Sequence, residues 1–489
     1  MSGSSSTYPS TQGAAQQALW VNRVMIAATS SGSGKTTVTL ALLAALKSLG
    51  KQVISFKCGP DYIDPMFHKK VTGIDSRNLD VFLMGEEGVR QSIVQHGTDV
   101  DIAVLEGVMG LYDGLDNSSY ASSNQVSLLT GTPTILVVDV KGAARSVCAT
   151  IKGFLDFDDN NIKGVILNNC ALALYDTYKQ MIESELPLKV VGCLPYIPQA
   201  HLESRHLGLI TADEVANIKE KVALLGQTAK DTMDLDRLLY MAAGAPSLTY
   251  PGDYVATAQE GYAVANGKNV PVRIAVANDE AFSFWYEDNH DLLRSLGAEL
   301  CPFSPLHDRV LPDDVDGLIL WGGYPELYAD ALARNATMKQ SIKDAVDRGL
   351  PTYAECGGFM YLQQELTDLE DIRHRMVGVL HGGSHMTPRL QDFGYFRITA
   401  RQDNLLCKTG QSIPAHFFHH STSERQGACF TAQKAQGKSF DCIVCQGNVF
   451  AGYQHLHFWG NPGFARSFIN ACQAYREKGM LNGIHIGSS

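Results

Sequence analysis

The strongest constraint on the fold of this chain lies in a short segment near its start. Five apolar residues, Val24 to Ala28, run into a turn rich in glycine, serine and threonine, and apolar residues with helical spacing follow at Val38, Leu42, Leu43 and Leu46. A strand, a tight turn and a helix in this order form the phosphate-binding loop of α/β proteins, where backbone N–H groups and a helix N-terminus attract an anion. The segment therefore predicts an α/β unit arranged around a phosphate site.

The turn contains residue types that suit a nucleotide and its Mg²⁺ ion. Gly32 and Gly34 let the backbone approach phosphate closely, Lys35 can reach the terminal phosphates, and the Thr36 hydroxyl can bind Mg²⁺. Thr29 stands where the usual pattern has a glycine, so the match is to a variant loop. We predict nucleotide binding in preference to an ordinary turn of small residues, with contacts from Gly32, Ser33, Gly34, Lys35, Thr36 and Thr37.

Length and composition indicate a soluble protein with more than one domain. At roughly 150 residues per domain, 489 residues suggest two or three domains. The chain is 45% hydrophobic and 19% charged and has no apolar run that could span a bilayer, which excludes a membrane role. A net charge of −11 disfavours nucleic acid as a partner.

The cysteines and the N-terminus bear on the cellular compartment. Eleven cysteines are scattered without the rhythm of a disulfide framework, so we expect free thiols in a reducing cytoplasm. Cys442 and Cys445 have zinc-ligand spacing, but no second pair accompanies them, and we interpret them as ordinary thiols. The first 19 residues, rich in serine, glutamine, glycine and alanine, are interpreted as a disordered extension rather than a signal peptide.

Apolar runs alternate with helical stretches between residues 20 and 207. We expect strands at six of these runs: Val24 to Ala28, Val53 to Lys57, Ile102 to Leu105, Thr134 to Val138, Gly164 to Asn168 and Val190 to Leu194. The alternation predicts a doubly wound, mostly parallel sheet, whose ligands bind at the carboxyl ends of the strands.

The pattern changes after residue 207 and begins again near residue 271. Residues 208–270 combine charged helical pieces with a stretch containing proline, glycine and tyrosine, which indicates helix and linker. A second α/β region follows, with strands expected at Val272 to Ala277, Gly317 to Leu320, Pro351 to Ala354 and Cys442 to Cys445. The predicted organisation is an extension (1–19), a nucleotide-binding domain (20–207), a helical segment and linker (208–270), a second α/β domain (271–475) and a tail (476–489).

Two loops in the first half carry candidate metal ligands. Asp61 and Asp64 follow the second predicted strand, together with Lys57 and Tyr62, and Glu106 follows the third strand. Since Mg²⁺ prefers oxygen ligands, these carboxylates and the Thr36 hydroxyl are the candidate metal site. The alternative is a turn that is merely rich in aspartate.

Further loop residues are predicted to face the same edge of the sheet. Gly107, Gly110 and Gly114 allow a ligand to approach, and Asp113 lies among them. Asn168 ends a strand, where its amide could read the adenine edge or simply form a turn. Four basic residues are expected to cluster at this edge and to provide a local positive field for a polycarboxylate: Arg77, Lys141, Arg145 and Arg205.

A cysteine in the second half lies at a sharp turn between an apolar strand and a helical pattern. There the helix N-terminus favours the thiolate of Cys356, and the Gly357 N–H can stabilise an oxyanion, with Gly323 as a second donor. His455 is the predicted base in preference to His457. The pair predicts acyl transfer through a thioester, whereas the alternative is a buried structural thiol.

At these residues the sequence resembles the cobyrinic acid a,c-diamide synthase family, from about Val24 to His457. The phosphate loop is shared with dethiobiotin synthetase-like relatives, but the other signature stretches are more specific. They are Ser33 to Leu40, Phe56 to Asp64, Ser76 to Asp80, Leu105 to Gly114, Arg205 to Leu209, Phe303 to Asp308, Gly322 to Tyr328 and Ala354 to Gly358.

The resemblance implies a dethiobiotin synthetase-like first domain and a class I glutamine amidotransferase-like second domain. The second would release ammonia from glutamine, and the first would use ATP and Mg²⁺ to activate the a and c carboxylates of a corrinoid as acyl phosphates. It assigns Tyr62 and Asp113 to the substrate, Cys356 to the nucleophile and His455 to the base. Together with the scattered cysteines, which predict a cytoplasmic location, this leaves a homodimer as an open alternative.

Two positions depart from related patterns. The usual triad glutamate, two residues after the histidine, is replaced by His457, and the resembled family also lacks it, so a dyad is expected. In the stretch from Ala415 to Ser421, Phe417 and His420 replace a glutamate and a tyrosine. Hydrogenobyrinic acid and nickel-sirohydrochlorin are alternative substrates, and a nucleotide-switched binding module without glutaminase activity is the alternative from another class.

Overall fold

A seven-stranded parallel sheet forms the first half of the structure, a computed structural model that describes residues 17–201, 212–250, 270–435 and 437–481. Every paired neighbour in this sheet runs parallel. In spatial order the strands are Ser76–Leu79, Val53–Cys58, Ile102–Glu106, Arg23–Ala28, Thr134–Asp139, Ile162–Asn168 and Lys189–Leu194.

Helices cover both faces of this sheet, which confirms the predicted doubly wound fold. The central strand Arg23–Ala28 is buried along its whole length, as expected for a parallel strand covered on two sides. Strands Ile102–Glu106 and Thr134–Asp139 follow each other in the chain but lie on opposite sides of it, so the carboxyl ends of the central strands border a ligand crevice. The α-helices of this half are Lys35–Ser48, Ile63–Thr72, Val81–Gly97, Ser123–Thr130, Ser146–Asp156, Leu172–Glu185, Ala212–Thr232 and Leu235–Ala243.

The described part of the expected helical segment, residues 212–250, packs onto the first unit. Helix Ala212–Thr232 lies against helix Lys35–Ser48, so closely that a Cβ on Gly226 would be 2.6 Å from the Ala44 Cβ. The expected extension needs a correction at its end, because Gln17–Leu19 forms a strand antiparallel to Leu248–Tyr250. The expectations for residues 1–16, 202–211 (including Arg205), 251–269 and 482–489 lie outside the described residues.

The second half contains a six-stranded sheet with five parallel strands and an antiparallel edge strand. In spatial order the strands are Ala298–Phe303, Val272–Ala277, Gly317–Leu320, Thr352–Glu355, Val449–Gly452 and Val444–Gln446. The associated α-helices are Glu287–Ser295, Ala329–Arg334, Ala336–Asp347, Gly357–Leu362 and Pro462–Leu481. The last helix continues past residue 475, where the sequence suggested a tail.

A third, antiparallel-rich sheet of the second half was not predicted from the sequence. Its strands are Arg373–Arg375, Gln363–Thr367, Leu380–Ala400, Ser412–Ser423 and Gln454–Leu456, with Phe430–Gln433 and Ser439–Cys442 attached. The single strand expected at Cys442 to Cys445 is interrupted at Ile443, which has φ +68°. Its two parts therefore belong to different sheets.

The prediction that the cysteines are free thiols is wrong for one pair. Cys429 and Cys445 form a disulfide with their Cα atoms 5.9 Å apart, whereas Cys442 is free and buried. Among the described residues, no helix is both long enough and apolar enough to cross a bilayer.

Candidate functional site

The predicted phosphate loop connects the central strand Arg23–Ala28 to helix Lys35–Ser48. Gly32 and Gly34 have φ of +79° and +91°, a left-handed backbone that glycine adopts without strain. The Asn168 amide nitrogen donates to the Ser33 carbonyl at 3.0 Å, and a Cβ on Gly34 would lie 2.1 Å from that nitrogen. Asn168 therefore holds the loop in this structure, and its contact with adenine stays a prediction.

Lys35 ties the phosphate loop to the glycine-rich loop after strand Ile102–Glu106. Its ammonium donates to the carbonyl of Met109 and, at 3.3 Å, to that of Ser30. Burial and the nearby Lys57 lower the pKa of Lys35 to about 8. A bound phosphate would replace these carbonyl groups as the acceptor for the Lys35 ammonium.

The glycine-rich loop approaches the phosphate loop closely. A Cβ on Gly110 would lie 3.1 Å from the Thr29 carbonyl oxygen, so a side chain has little room there. The Gly110 N–H donates to the Asp113 carboxylate at 2.8 Å, and Asp113 itself is exposed at the outer end of the crevice.

Lys57 lies between two of the predicted metal ligands. Its Nζ is 2.5 Å from Asp64 Oδ2 and 2.7 Å from Glu106 Oε1, and all three side chains are nearly inaccessible. Burial would lower the pKa of Lys57, but Glu106 and Asp64 outweigh it and raise that pKa well above its ordinary value. Glu106 also accepts the Thr36 hydroxyl at 2.7 Å and lies 3.3 Å from His68 Nε2.

Asp61 and Asp64 begin the helix that follows the second strand. Asp61 Oδ1 accepts the backbone N–H groups of Ile63 and Asp64 at 2.9 and 3.2 Å. Burial and the Asp64 charge raise the pKa of Asp61 to about 7. Burial acts in the same direction on Asp64, but Lys57 outweighs it and lowers the pKa of that carboxyl.

The oxygen atoms around Lys57 suit a hard cation. Thr36, Asp64 and Glu106 converge there, and Glu106 Oε2 is buried without a hydrogen-bond donor among the described residues. Oxygen donors beside a phosphate loop fit Mg²⁺. These three residues would hold the ion, and Asp61 lies on the adjoining turn.

The prediction of a cluster of basic residues is wrong for Arg77 and Arg145. Arg77 does not lie at the nucleotide crevice; it pairs with Asp291 and, at 3.5 Å, with Asp288, both in the second unit. Arg145 pairs with Glu185 at 3.0 Å near the start of its own helix. Lys141 is exposed, so these residues do not form one positive field.

Cys356 occupies the sharp turn that the sequence indicated. It lies between strand Thr352–Glu355 and helix Gly357–Leu362 with φ +48° and ψ −106°, a backbone that is strained for a residue with a side chain. A Cβ on Gly357 would lie 3.0 Å from the Gly323 nitrogen, so the two predicted oxyanion donors are close neighbours. The residue as a whole is 7% exposed.

His455 lies at the thiol, as predicted, and meets a carboxylate that was not predicted. His455 lies close enough to Cys356 for their charges to interact, and its Nδ1 lies 3.3 Å from Glu355 Oε1. Burial would lower the pKa of His455, but Cys356 and Glu355 outweigh it and raise that pKa to about 10. His457 points elsewhere, with Nε2 3.8 Å from Asp288 Oδ2.

Tyr62 connects the two groups of residues. Its hydroxyl lies 3.2 Å from His455 Nε2, and its ring packs against Phe284 and Tyr286 of the second unit. Asp61 and Asp64 flank Tyr62 in the chain, so one turn borders the nucleotide crevice on one side and the thiol on the other. Sequence reasoning placed Tyr62 at the substrate and gave no sign of its contact with His455.

The two departures noted in the sequence lie in strand Ser412–Ser423. Phe417 is buried and packs against Phe396 and Phe440, whereas His420 is exposed. Phe417 therefore serves the core of the antiparallel sheet.

Lys57 and Glu355 are two polar residues at these sites to which sequence reasoning gave no role. Lys57 lies in a predicted strand directly before the aspartate loop, and Glu355 directly precedes the cysteine. A charged residue at the end of a buried strand was the available signal in both cases.

Comparisons with known proteins match both halves of the chain. Residues 24–209 match the family described as a CobQ/CobB/MinD/ParA nucleotide binding domain, and residues 273–463 match a CobB/CobQ-like glutamine amidotransferase domain. Three curated relatives bear the name cobyrinate a,c-diamide synthase. The protein of Listeria monocytogenes serotype 4b is 42% identical, covering 90% of this chain and 97% of the relative. That of Clostridium tetani is 39% identical, covering 91% and 99%, and that of Thermoplasma volcanium 37%, covering 94% and 99%.

Proposed function

The chain belongs to the cobyrinate a,c-diamide synthase family, whose members are amide-forming ligases of the glutamine amidotransferase type. We propose that it amidates the a and c carboxylates of cobyrinic acid, with ammonia from glutamine and with hydrolysis of ATP. The observation that carries the proposal is the contact between Tyr62 and His455. It brings the turn beside the phosphate loop to the base of a cysteine–histidine pair, as a reaction shared between two sites requires.

The first unit would activate the carboxylate. A carboxylate is a poor electrophile, and transfer of the γ-phosphoryl group of ATP gives an acyl phosphate with a good leaving group. Lys35 and the loop N–H groups would bind the phosphates, while Tyr62 and Asp113 would contact the macrocycle. Mg²⁺, held by Thr36, Asp64 and Glu106 with Asp61 beside them, would neutralise phosphate charge.

The second unit would supply ammonia. The Cys356 thiolate would attack the glutamine side-chain carbonyl, and the N–H groups of Gly323 and Gly357 would stabilise the oxyanion. His455 would protonate the leaving nitrogen, and water would then hydrolyse the thioester. Ammonia would attack the acyl phosphate and release inorganic phosphate.

A direct assay tests the proposal. The protein is incubated with ATP, Mg²⁺, glutamine and, in separate reactions, cobyrinic acid, hydrogenobyrinic acid or nickel-sirohydrochlorin. We expect mass changes for two carboxylate-to-amide conversions on cobyrinic acid. If no macrocycle is amidated with either glutamine or ammonia, the proposal is wrong.

Single substitutions test the division of labour. We expect Cys356→Ala to lose glutamine-driven amidation by at least about a thousandfold, because the nucleophile is gone, and to keep amidation driven by added ammonia. Asp64→Ala and Glu106→Ala should lose amidation with both nitrogen sources. Amide yield with each source measures this, and loss of both in Cys356→Ala would contradict separable sites.

A further inference from the structure

We propose that Glu355 is the third member of the glutaminase site, a positioning residue that orients His455 and stabilises its protonated ring. The inference rests on the proposed glutaminase activity. It replaces the expected dyad with a triad whose carboxylate directly precedes the nucleophile in the chain, instead of following the histidine.

The contacts of the Glu355 carboxylate support this role. Oε1 lies 3.3 Å from His455 Nδ1, while Oε2 accepts the Tyr353 hydroxyl at 2.6 Å and the Leu456 N–H at 3.3 Å. Because Leu456 follows His455, one carboxylate holds both the ring and the backbone of the strand that carries the base. Both side chains are 1% exposed, so water does not screen their interaction.

The residue two places after the histidine does not compete for this role. Its Nε2 lies 3.8 Å from Asp288 Oδ2, and the His457 ring packs against Tyr286. A buried carboxylate without a cationic partner is costly, and the His455 ring, once protonated, is a cation in contact with Glu355. Glu355 thus makes with His455 Nδ1 the contact that the carboxylate of a catalytic triad makes with its histidine.

The proposed step balances as follows. The Cys356 S–H bond breaks and its proton passes to the His455 nitrogen opposite Nδ1, while the Nδ1–H remains bonded to Glu355. The thiolate forms a C–S bond with the glutamine amide carbon. The ring then gives its proton to the departing nitrogen, the C–N bond breaks, and ammonia and a thioester result. Glu355 neither takes up nor gives up a proton in these steps, and water hydrolyses the thioester to glutamate.

Glu355→Gln tests the role, since it keeps the shape of the side chain and removes its charge. We expect glutamine hydrolysis, measured without any macrocycle, to fall about a hundredfold to ten-thousandfold, as for other triads that lose their carboxylate. Ammonia-driven amidation should stay within about twofold, because it does not use this site. Glu355→Asp, which keeps the charge, should recover part of the loss.

Alkylation of Cys356 by iodoacetamide separates positioning from a structural role. Loss of the Glu355 charge weakens the interaction of the His455 ring with the sulfur, so the midpoint of the alkylation pH profile should move up by at least about one unit relative to the wild type. Tyr353→Phe removes a hydrogen bond from Glu355 but leaves the charge on His455. It should keep the wild-type midpoint and at least about a fifth of the hydrolysis rate.

The outcomes are distinguishable. Wild-type hydrolysis of glutamine with equal hydrolysis by Glu355→Gln overturns the role of Glu355 and leaves the proposed function intact. An unshifted alkylation midpoint in Glu355→Gln also overturns it, even if hydrolysis falls. A wild-type protein that hydrolyses no glutamine, with or without ATP and cobyrinic acid, overturns the proposed function itself.

Discussion

The position of Lys57 between Asp64 and Glu106 gives this lysine a role in both stability and chemistry. Its charge is paired twice in a region that water barely reaches. The charge of Lys57 also lowers the pKa of Lys35, whereas the two carboxylates raise the pKa of Lys57 itself. Lys57 therefore links the pairing of the buried carboxylates to the electrostatics of Lys35, the residue expected at the phosphates.

We expect Lys57→Met to lose amidation with both glutamine and ammonia and to destabilise the first unit by about 3 to 5 kcal/mol, because two buried carboxylates lose their counter-charge. Glutamine hydrolysis should persist. Urea unfolding and amide yield measure these effects. Lys69→Met is the matched control. The Lys69 side chain is 52% exposed and pairs with Asp75, so its replacement should change neither quantity. Amidation by Lys57→Met at the wild-type rate would contradict the role.

The residues that sequence reasoning found are those whose positions a local motif determines. Lys35 and Thr36 follow their glycines directly, and Cys356 lies at a turn that its neighbours define. Lys57 meets Glu106 only because their parallel strands pair in register at these two residues. Glu355 meets His455 across 100 positions of sequence. Such contacts depend on strand order, which periodicity does not give.

At the scale of elements, an edge strand of the first unit is joined to a helix of the second. Arg77 of Ser76–Leu79 pairs with Asp288 and Asp291 of Glu287–Ser295, and His96 lies 3.3 Å from the same Asp288. Burial would raise the pKa of Asp288, but His457, His96 and Arg77 outweigh it and lower that pKa. This helix packs beside the strand that bears His455, so the ion pairs fix the two sites relative to each other.

Arg77→Met should loosen this junction. We expect the unfolding free energy to fall by about 3 kcal/mol, because Asp288 stays buried with less counter-charge, and the ratio of glutamine hydrolysed to amide formed to rise severalfold. Urea unfolding and quantification of glutamate and amide measure the two effects. Arg90→Met, which breaks a surface pair with Glu86, should leave both unchanged. An unchanged ratio in Arg77→Met would mean that this junction does not couple glutamine hydrolysis to amide formation.

Elements differed in how well the sequence revealed them. The six predicted strands of the first sheet were found because strands buried on both sides are continuously apolar. Strand Leu380–Ala400 was missed because it mixes histidine, glycine, serine and proline and is half exposed, so it shows neither an apolar run nor strict alternation. Its pairing with Ser412–Ser423 also shifts register twice, which removes the remaining periodic signal.

For the molecule as a whole, acid should weaken the second unit through histidines that are buried uncharged. His290 packs between Trp285 and Trp321, and burial, with Arg294, Arg77 and Lys69, lowers its pKa to about 3. Glu287, 3.8 Å away, does not offset this. Unfolding allows His290 to take up a proton below about pH 6.5, so its contribution to stability is present above that pH and is lost as the pH falls towards 3.

Replacement of His290 by glutamine isolates this effect. The stability difference between the wild type and His290→Gln should shift against the wild type by about 1.4 kcal/mol per pH unit between pH 6 and pH 4. Urea unfolding followed by tryptophan fluorescence measures it. His307→Gln, at a side chain that is 65% exposed, is the control and should give a much smaller slope. A pH-independent difference for His290→Gln would contradict the assignment.

The arrangement of the two sites also predicts the route of ammonia. Cys356 and His455 are buried, and the turn from Asp61 to Asp64 lies between them and the phosphate loop, with Tyr62 against His455. We therefore expect ammonia released at Cys356 to pass along this turn without entering bulk water, where it would be protonated and lost as a nucleophile.

Isotope competition distinguishes an enclosed route from an open one. With amide-¹⁵N glutamine and an excess of unlabelled ammonium, we expect the wild type and Tyr62→Phe to place mainly ¹⁵N in the product, since both retain the ring. Tyr62→Ala opens the junction and should incorporate unlabelled nitrogen. Mass spectrometry of the amide gives the ratio, which reports the route independently of the rate, so weaker substrate binding by the variant does not affect it. Equal dilution of label in all three proteins would mean that ammonia crosses open solvent.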